Sequence, residues 1–578
     1  MEESNEERDV NIFYKKLNGT IPMNVINDFG EDSNFLIIFV NPKSGSQEGK
    51  IILDYIDKYR EISIRDYNVI HFPIDEDEEW FPIPFSSRSR SNSVQSFEEI
   101  KIKGVEHPTK FDPSIPFSII IFNIIDEKDY QKGKNFIKYF LNDFPEEELR
   151  ILIGGGDGSV LSVIEDLYKD KIDLKRCIFG AMPLGTGNDL SNAMGFDSQC
   201  EIGIKVEYFQ RVLYTYITAG IINIDIWQLQ LKVDKNEGKI FDVILNGEVQ
   251  LKDEENNYLT YFSKTFINYM SIGFDARVGF MFGQRRTSSR IFNKLIYALE
   301  AGKNILRGLF RKKFGLSSLL ENLISLEGID IENKILSNDE NYFIDEEYFK
   351  SLDNKKIIFE SIETKKSKNY KKTILKGNPV VIVCQNIDYY MGGTENIWGS
   401  SEQIGIQACG LKRKERKIYE SNIAKSFHNQ SSDDKQIELI TYTHGMDMGL
   451  DRVTGGRAKK VYQGHGPFIF TFKKILSRGQ KKKLNNVYIN IDGEFYRLVQ
   501  PKQIIISIND QICNGQIKFL KNEIAIWRLK QKSTFQKIQK KMRNYKSIVI
   551  SIIPVILLLQ YNFKAALIFL LYMILLFL

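Results

Sequence analysis

Three short stretches concentrate the residue types that could do chemistry: Asn41-Pro-Lys-Ser-Gly-Ser, Gly154-Gly-Gly-Asp-Gly-Ser and Pro183-Leu-Gly-Thr-Gly-Asn-Asp. Each follows a short apolar run and precedes a helical pattern. Glycines let a backbone approach an anion closely, and the free N–H groups and dipole of a helix start favour phosphate. Lys43 adds a point charge to the first stretch. One such loop is most simply a tight turn, but three in one segment point to a shared anion. Asp157, inside the second loop, would repel phosphates unless it holds Mg²⁺ or takes a proton from an incoming hydroxyl. The usual nucleotide templates do not fit. There is no GxxxxGK[ST], and Gly154-x-Gly156-x-Gly158 is too compact for a dinucleotide fingerprint.

The elements that must carry these loops read as an α/β layer over residues 31–219. Leu36–Val40, Phe117–Ile125, Arg150–Ile153 and Cys177–Leu184 are continuous apolar runs, and Ser159–Tyr168 has helical spacing. Such runs, without alternation, suggest a sheet covered on both faces. Residues 75–109, acidic and then serine- and arginine-rich, read as a flexible insertion. Residues 220–520 change character to shorter β-like runs: Ile221–Leu231, Phe266–Phe274, Pro379–Cys384, Ile437–Tyr442, Phe468–Phe472, Val487–Ile491 and Ile504–Ile508. A second, mainly antiparallel β domain is expected, with charged insertions near 329–376 and 412–435.

With 578 residues, 43% of them hydrophobic, the chain has ample material for packed cores. A net charge of +5 is too small to indicate nucleic-acid binding. The five cysteines (Cys177, Cys200, Cys384, Cys409, Cys513) are scattered and form no CxxC, which argues against a zinc finger, a redox pair or a disulfide framework. A reducing, cytosolic setting is expected. The five histidines show no ligand spacing. Residues 1–30 read as an acidic, solvated tail without the pattern of a secretory signal. At the other end, residues 527–546 hold eight basic residues and no acidic one, and are expected to form a basic helix. Residues 547–578 carry only Lys564 as a charge and read as a hydrophobic membrane segment, either one kinked span or a re-entrant hairpin broken at Gln560–Lys564. An anionic phospholipid surface is the expected partner of this pair, with the catalytic domains on the cytosolic face.

The three loops resemble the hallmark motifs of the diacylglycerol kinases. The resemblance continues through Asn268-Tyr-Met-Ser-Ile-Gly-Phe-Asp-Ala, Asn293-Lys-Leu-Ile-Tyr, Gly392-Gly, Trp398-Gly, Asp492-Gly-Glu and Pro501, in the family's order from about residue 21 to 508. It implies transfer of the γ-phosphoryl of ATP to the hydroxyl of diacylglycerol, with Mg²⁺ as cofactor. It also implies an α/β nucleotide domain and a β-sandwich lipid domain with the active site between them. Carried onto this chain, the motifs put ATP contacts on Asn41, Lys43, Ser44, Gly45, Gly155, Gly156, Gly158, Ser159, Gly185, Thr186, Asn188 and Asp189. They make Asp157 a catalytic or metal-linked carboxylate, and Asp492 and Glu494 candidates for the base or for Mg²⁺ support. Ser159 stands where the family usually has threonine, and Thr394-Glu-Asn-Ile interrupts the glycine-rich turn. A kinase of another lipid (sphingosine, ceramide or acylglycerol) and an inactive membrane scaffold are the alternatives. Asp157, Asp189, Asp492 and Glu494 all speak against the scaffold.

Overall fold

The computed structural model describes residues 34–45, 48–59, 62–64, 67–72, 117–185, 187–196, 215–287, 315–327, 355–361, 373–473 and 486–522, with isolated positions between 212 and 303. The serine-rich stretch 75–109, the basic stretch 527–546 and the apolar segment 547–578 lie outside these residues. No helix among the described residues is long and apolar enough to cross a membrane. The chain divides into two compact units. The first takes the described residues up to 185, those from 194 to 222, and those from 517 onward; the second takes 186–193 and 223–516.

The first unit is built on an eight-stranded sheet in the order β2-β3-β4-β1-β5-β6-β27-β7. Its strands are β1 (Asn34–Val40), β2 (Ile62–Ile64), β3 (Tyr67–Phe72), β4 (Phe117–Asn123), β5 (Leu149–Gly155), β6 (Cys177–Pro183), β7 (Gly220–Asp225) and β27 (Gln516–Lys521). β4, β1, β5 and β6 run parallel in that order, joined by register pairs such as Ile38 with Ile121 and with Leu152. Leu36–Val40 are fully buried, as a strand covered on both faces requires. The strands are followed by α1 (Glu48–Tyr59), α2 (Glu127–Asp143) and α3 (Asp157–Lys169). Asp126 starts α2 by accepting the amides of Lys128 and Asp129, while Tyr130, Phe136, Ile137, Phe140 and Leu141 turn its apolar stripe to the sheet. Because β1 is flanked by β4 on one side and β5 on the other, its outgoing loop lies beside that of β5. An open parallel sheet binds ligands at such a position.

The second unit is a sandwich. One sheet has nine strands in the order β10-β9-β25-β24-β12-β16-β21-β22-β19, and the other six in the order β11-β8-β26-β23-β13-β14. The larger comprises β9 (Lys239–Ile244), β10 (Gly247–Gln250), β12 (Tyr269–Gly273), β16 (Val381–Gln385), β19 (Gln403–Ile404), β21 (Ile437–Tyr442), β22 (Lys459–Gly464), β24 (Asn486–Ile491) and β25 (Glu494–Val499). The smaller comprises β8 (Trp227–Val233), β11 (Tyr261–Phe266), β13 (Leu320–Ser325), β14 (Lys356–Glu360), β23 (Phe468–Phe472) and β26 (Pro501–Ile508). Their pairings are antiparallel, except that β19 meets β22 in parallel. Alternation builds the core between the sheets: Trp227, Leu229 and Leu231 from one face it with Met270, Ile272, Ile382, Leu439 and Ile489 from the other. The reverse face of the nine-stranded sheet carries a second cluster around Tyr269, Val383, Tyr390, Trp398 and Tyr442.

Two details differ from the sequence reading. The run 221–231 is two strands, β7 and β8. The stretch 329–376 is not wholly an insertion: β14 and β15 (Thr373–Leu375) lie inside it, β14 pairing with β13 and β15 with β20 (Ile406–Ala408).

Candidate functional site

In the first unit the three glycine-rich loops converge on Gly155. The Gly155 carbonyl accepts the amides of Leu184 (3.1 Å) and Gly185 (3.0 Å), which binds the third loop to the second. The Asn41 amide donates to the Gly154 carbonyl at 2.8 Å, and the Asn41 side-chain nitrogen donates to Ser159 Oγ at 3.1 Å, which binds the first loop to the second. Asn41 Oδ1 accepts the Lys43 amide at 3.0 Å and so shapes the first loop. A Cβ on Gly155 would lie 2.6 Å from Ser159 Cβ and 3.5 Å from Ser44 Oγ, and one on Gly156 would lie 3.4 Å from Gly185 Cα. The glycines therefore serve close approach of loop to loop. Gly45 also needs its lack of Cβ for a φ of +54°.

Gly156 caps α3, so Asp157 and Gly158 occupy that helix's first turn, where the Ser159 and Val160 amides donate to the Gly156 carbonyl. The positive helix end steadies an anionic Asp157 and makes the same place receptive to phosphate. Asp157 is half-buried, and Lys43 is exposed. Mg²⁺ is commonly bound by one or two carboxylates, with phosphate oxygens and water completing its shell. Asp157, in the helix turn that follows the second glycine loop, is a carboxylate of the kind such a site needs. Among the described residues no cluster of three acidic, histidine or cysteine side chains could hold a metal without such help.

The second part of the third motif belongs to the second unit. Thr186 lies outside the described residues. Asn188 is buried with φ +56°, and its carbonyl receives the Asn192 amide at the start of the short helix α4 (Asp189–Ala193). Asp189 is buried and holds the Gly392–Gly393 turn, accepting the Gly392 amide at 2.9 and 3.0 Å and the Gly393 amide at 3.0 Å. The Tyr269 hydroxyl donates to it at 3.4 Å, and from the other side Arg452 donates to the Gly392 carbonyl at 2.8 Å. Burial pushes the Asp189 carboxyl up, against the pull of the two glycine amides and Arg452. With φ of +72° and +118°, the two glycines occupy a conformation that side chains would strain.

Asp492 and Glu494 share a hairpin but not an environment. Asp492 and Gly493, both at positive φ, form the two-residue turn between β24 and β25. Asp492 is 7% exposed, and its carboxylate accepts the amides of Ile267 (2.7 Å), Asn268 (3.0 Å) and Tyr269 (2.9 Å). Burial pushes it up to about 7, although those three amides favour the charged form. Glu494 is partly exposed and accepts Lys264 Nζ at 2.5 Å and the Tyr496 hydroxyl at 2.7 Å.

Sequence reasoning missed Asp275 and Arg452 as members of this architecture. Asp275 is 1% exposed and accepts the hydroxyls of Ser271 and, at 2.6 Å, Tyr390. Burial pushes its carboxyl up. It stands in the Ile-Gly-Phe-Asp-Ala stretch quoted above, an available signal. Arg452 lies in α6 (Gly445–Thr454), where nothing in the local pattern marks it; its partner is 60 residues away.

Comparison with known proteins gives these sites a family. A model of the diacylglycerol kinase catalytic domain matches residues 119–212, and one of the diacylglycerol kinase accessory domain matches residues 265–495. The first loop lies before the matched catalytic range, but the sheet inserts its strand β1 between two matched strands. Diacylglycerol kinase 3 of Arabidopsis thaliana is 29% identical over 172 residues, covering 26% of this chain and 34% of that protein. Diacylglycerol kinase iota of Homo sapiens is 24% identical over 372 residues, covering 63% of this chain and 26% of that protein. The matched regions thus span about a third or less of these relatives' lengths. With the catalytic and accessory domains present in sequence, this chain belongs to the diacylglycerol kinase family.

Proposed function

We propose that the protein transfers the γ-phosphoryl group of ATP to the hydroxyl of diacylglycerol, giving phosphatidic acid and ADP. The observation that carries this reading is the convergence of three glycine-rich loops on Gly155, with Asp157 in the adjoining helix turn, in a chain that also has the accessory domain. Phosphoryl transfer asks mainly for positioning and charge stabilisation. Backbone amides of the loops, with Asn41, Lys43, Ser44 and Ser159, hold the nucleotide phosphates. The lipid hydroxyl oxygen bonds to the γ-phosphorus as the bond to the β–γ bridging oxygen breaks. Its proton passes to a carboxylate or to water. Bound Mg²⁺, held with Asp157, would neutralise charge on the phosphates.

In this reading Asp189 and Asp492 are positioning residues. Their oxygens are engaged by backbone amides, so they fix the Gly392–Gly393 and Ile267–Tyr269 turns. Glu494, partly exposed and held by Lys264, is the better placed of the hairpin's two acids to meet a ligand or ion. The basic stretch 527–546 and the apolar segment 547–578 keep the enzyme at an anionic membrane, with its catalytic domains on the cytosolic side. Radiolabelled ATP with a panel of diacylglycerol, monoacylglycerol, sphingosine and ceramide tests the substrate. Preferential labelling of diacylglycerol supports the proposal; labelling of sphingosine or ceramide alone would overturn it.

A further inference from the structure

We infer that the β9–β10 hairpin of the second unit is a membrane-inserting tip that seats this unit on an anionic bilayer. The hairpin turns through Leu245 and Asn246, between the paired residues Ile244 and Gly247. Turn positions ordinarily favour Gly, Asn, Asp, Ser or Pro, and Asn246, at φ +62°, meets that demand. Leu245 does not: it is 62% exposed, with Ile244 at 47% and Val249 at 45% beside it. Scattered exposed apolar residues are ordinary, but these three share one hairpin. Folding gains nothing from an exposed leucine at a turn, whereas an apolar phase would.

The tip is rigidly mounted. The Asn246 amide donates to the Gln284 carbonyl at 2.8 Å, at the end of α5 (Phe274–Gly283). Gly283 sits so close to Val243 that a Cβ there would lie 2.9 Å from the valine side chain. The docking point is followed at once by Arg285 and Arg286, both exposed. Arg285 pairs with Glu300 at 2.5 Å, and Lys303 reaches the same carboxylate at 2.9 Å, so the local balance remains positive. The nearest acidic residue on the hairpin, Glu248, is neutralised by a two-pronged contact with Arg497. An apolar tip beside a cationic collar matches hydrocarbon below anionic headgroups.

The tip's place in the sheet also fits a lipid surface. β9 pairs with β25 so that Asp242 faces Tyr496 and Lys239 faces Val499. Ile244 therefore lies at the end of the sheet where Asp492 and Gly493 turn into Glu494. Adjacent strands are about 4.8 Å apart, so the tip and that turn are on the order of 10–15 Å from each other. The inference leans on the kinase reading only in expecting the substrate to lie in a bilayer.

The test uses the full-length chain and vesicles of phosphatidylcholine with and without phosphatidylserine. In Leu245→Trp, the new indole reports the tip directly, with wild-type emission as background. Insertion predicts a blue shift and quenching by brominated phosphatidylcholine above the wild-type level, stronger with phosphatidylserine. In Ile244→Glu/Leu245→Glu, activity on substrate in phosphatidylserine vesicles is expected to fall about tenfold or more, with activity on detergent-dispersed substrate unchanged within about twofold. Arg286→Glu is expected to weaken the phosphatidylserine dependence. Quenching no greater than wild type would overturn the inference. So would a dimer that the double variant converts to monomers, because a second copy would then be the occupant. Quenching without any lipid kinase activity would leave the tip standing and remove the kinase reading; activity in micelles without quenching would do the reverse.

Discussion

Asn41 reaches across 118 residues of sequence to donate from its side-chain amide to Ser159 Oγ at 3.1 Å. That bond ties the loop after β1 to the first turns of α3, and both flank Gly155. The candidate phosphate cradle is therefore a braced assembly in which each loop fixes the next.

Gly155→Ala should break this bracing. Its methyl group would lie 2.6 Å from Ser159 Cβ and 2.7 Å from Ser159 Oγ, so one of the loops must shift. Overpacking of this kind costs about 1–3 kcal/mol. ATP affinity should fall while the circular dichroism spectrum stays native. Unchanged ATP affinity in the folded variant would show that the close approach of Gly155 to Ser159 is not needed by the site.

Asp189→Ala leaves the amides of Gly392 and Gly393 without their carboxylate. Hydrogen bonds to a charged acceptor contribute about 1.5–3 kcal/mol each. The turn should loosen, with faster amide hydrogen exchange at residues 391–394 and kcat lowered by about tenfold or more. Unchanged exchange at that turn would contradict the role given to Asp189.

These two sites were unequally legible. The loops could be read because glycine clusters after apolar strands carry a local signal, and the parallel sheet follows from uninterrupted runs such as Leu36–Val40. Their bracing could not, since Asn41, Gly155 and Ser159 meet only once β1 lies beside β5. β14 was hidden because an edge strand, Lys356–Glu360, carries charges at both ends amid a charged stretch. Asp492 and Glu494 look equivalent in sequence. Backbone amides from residues 267–269, more than 220 positions away, separate their roles.

Stability should fall as pH rises from about 4 to 7. Asp492 and Asp225 are each pushed up to about 7, chiefly by burial, from an unfolded value near 3.9. A carboxyl raised in the folded state contributes stability that is complete below the unfolded pKa and is lost as pH rises through the folded one. Each group changes stability by at most about 1.4 kcal/mol per pH unit. The urea midpoint should decline across this range, and Asp492→Asn should decline less steeply from a lower starting point. A flat or rising wild-type midpoint would contradict the assignment.

Removing residues 527–578 should shift the protein from the membrane to the soluble fraction. It should also depress activity on bilayer substrate more than on detergent-dispersed substrate. Equal activity in the two assays would remove the proposed role of the terminal segments.

The most direct test of the central claim is transfer of radiolabel from γ-labelled ATP to diacylglycerol in mixed micelles, comparing wild type with Asp157→Ala. Labelled phosphatidic acid is expected from the wild type, with a loss of about a thousandfold in a variant that still folds. A folded Asp157→Ala enzyme with full activity would contradict it.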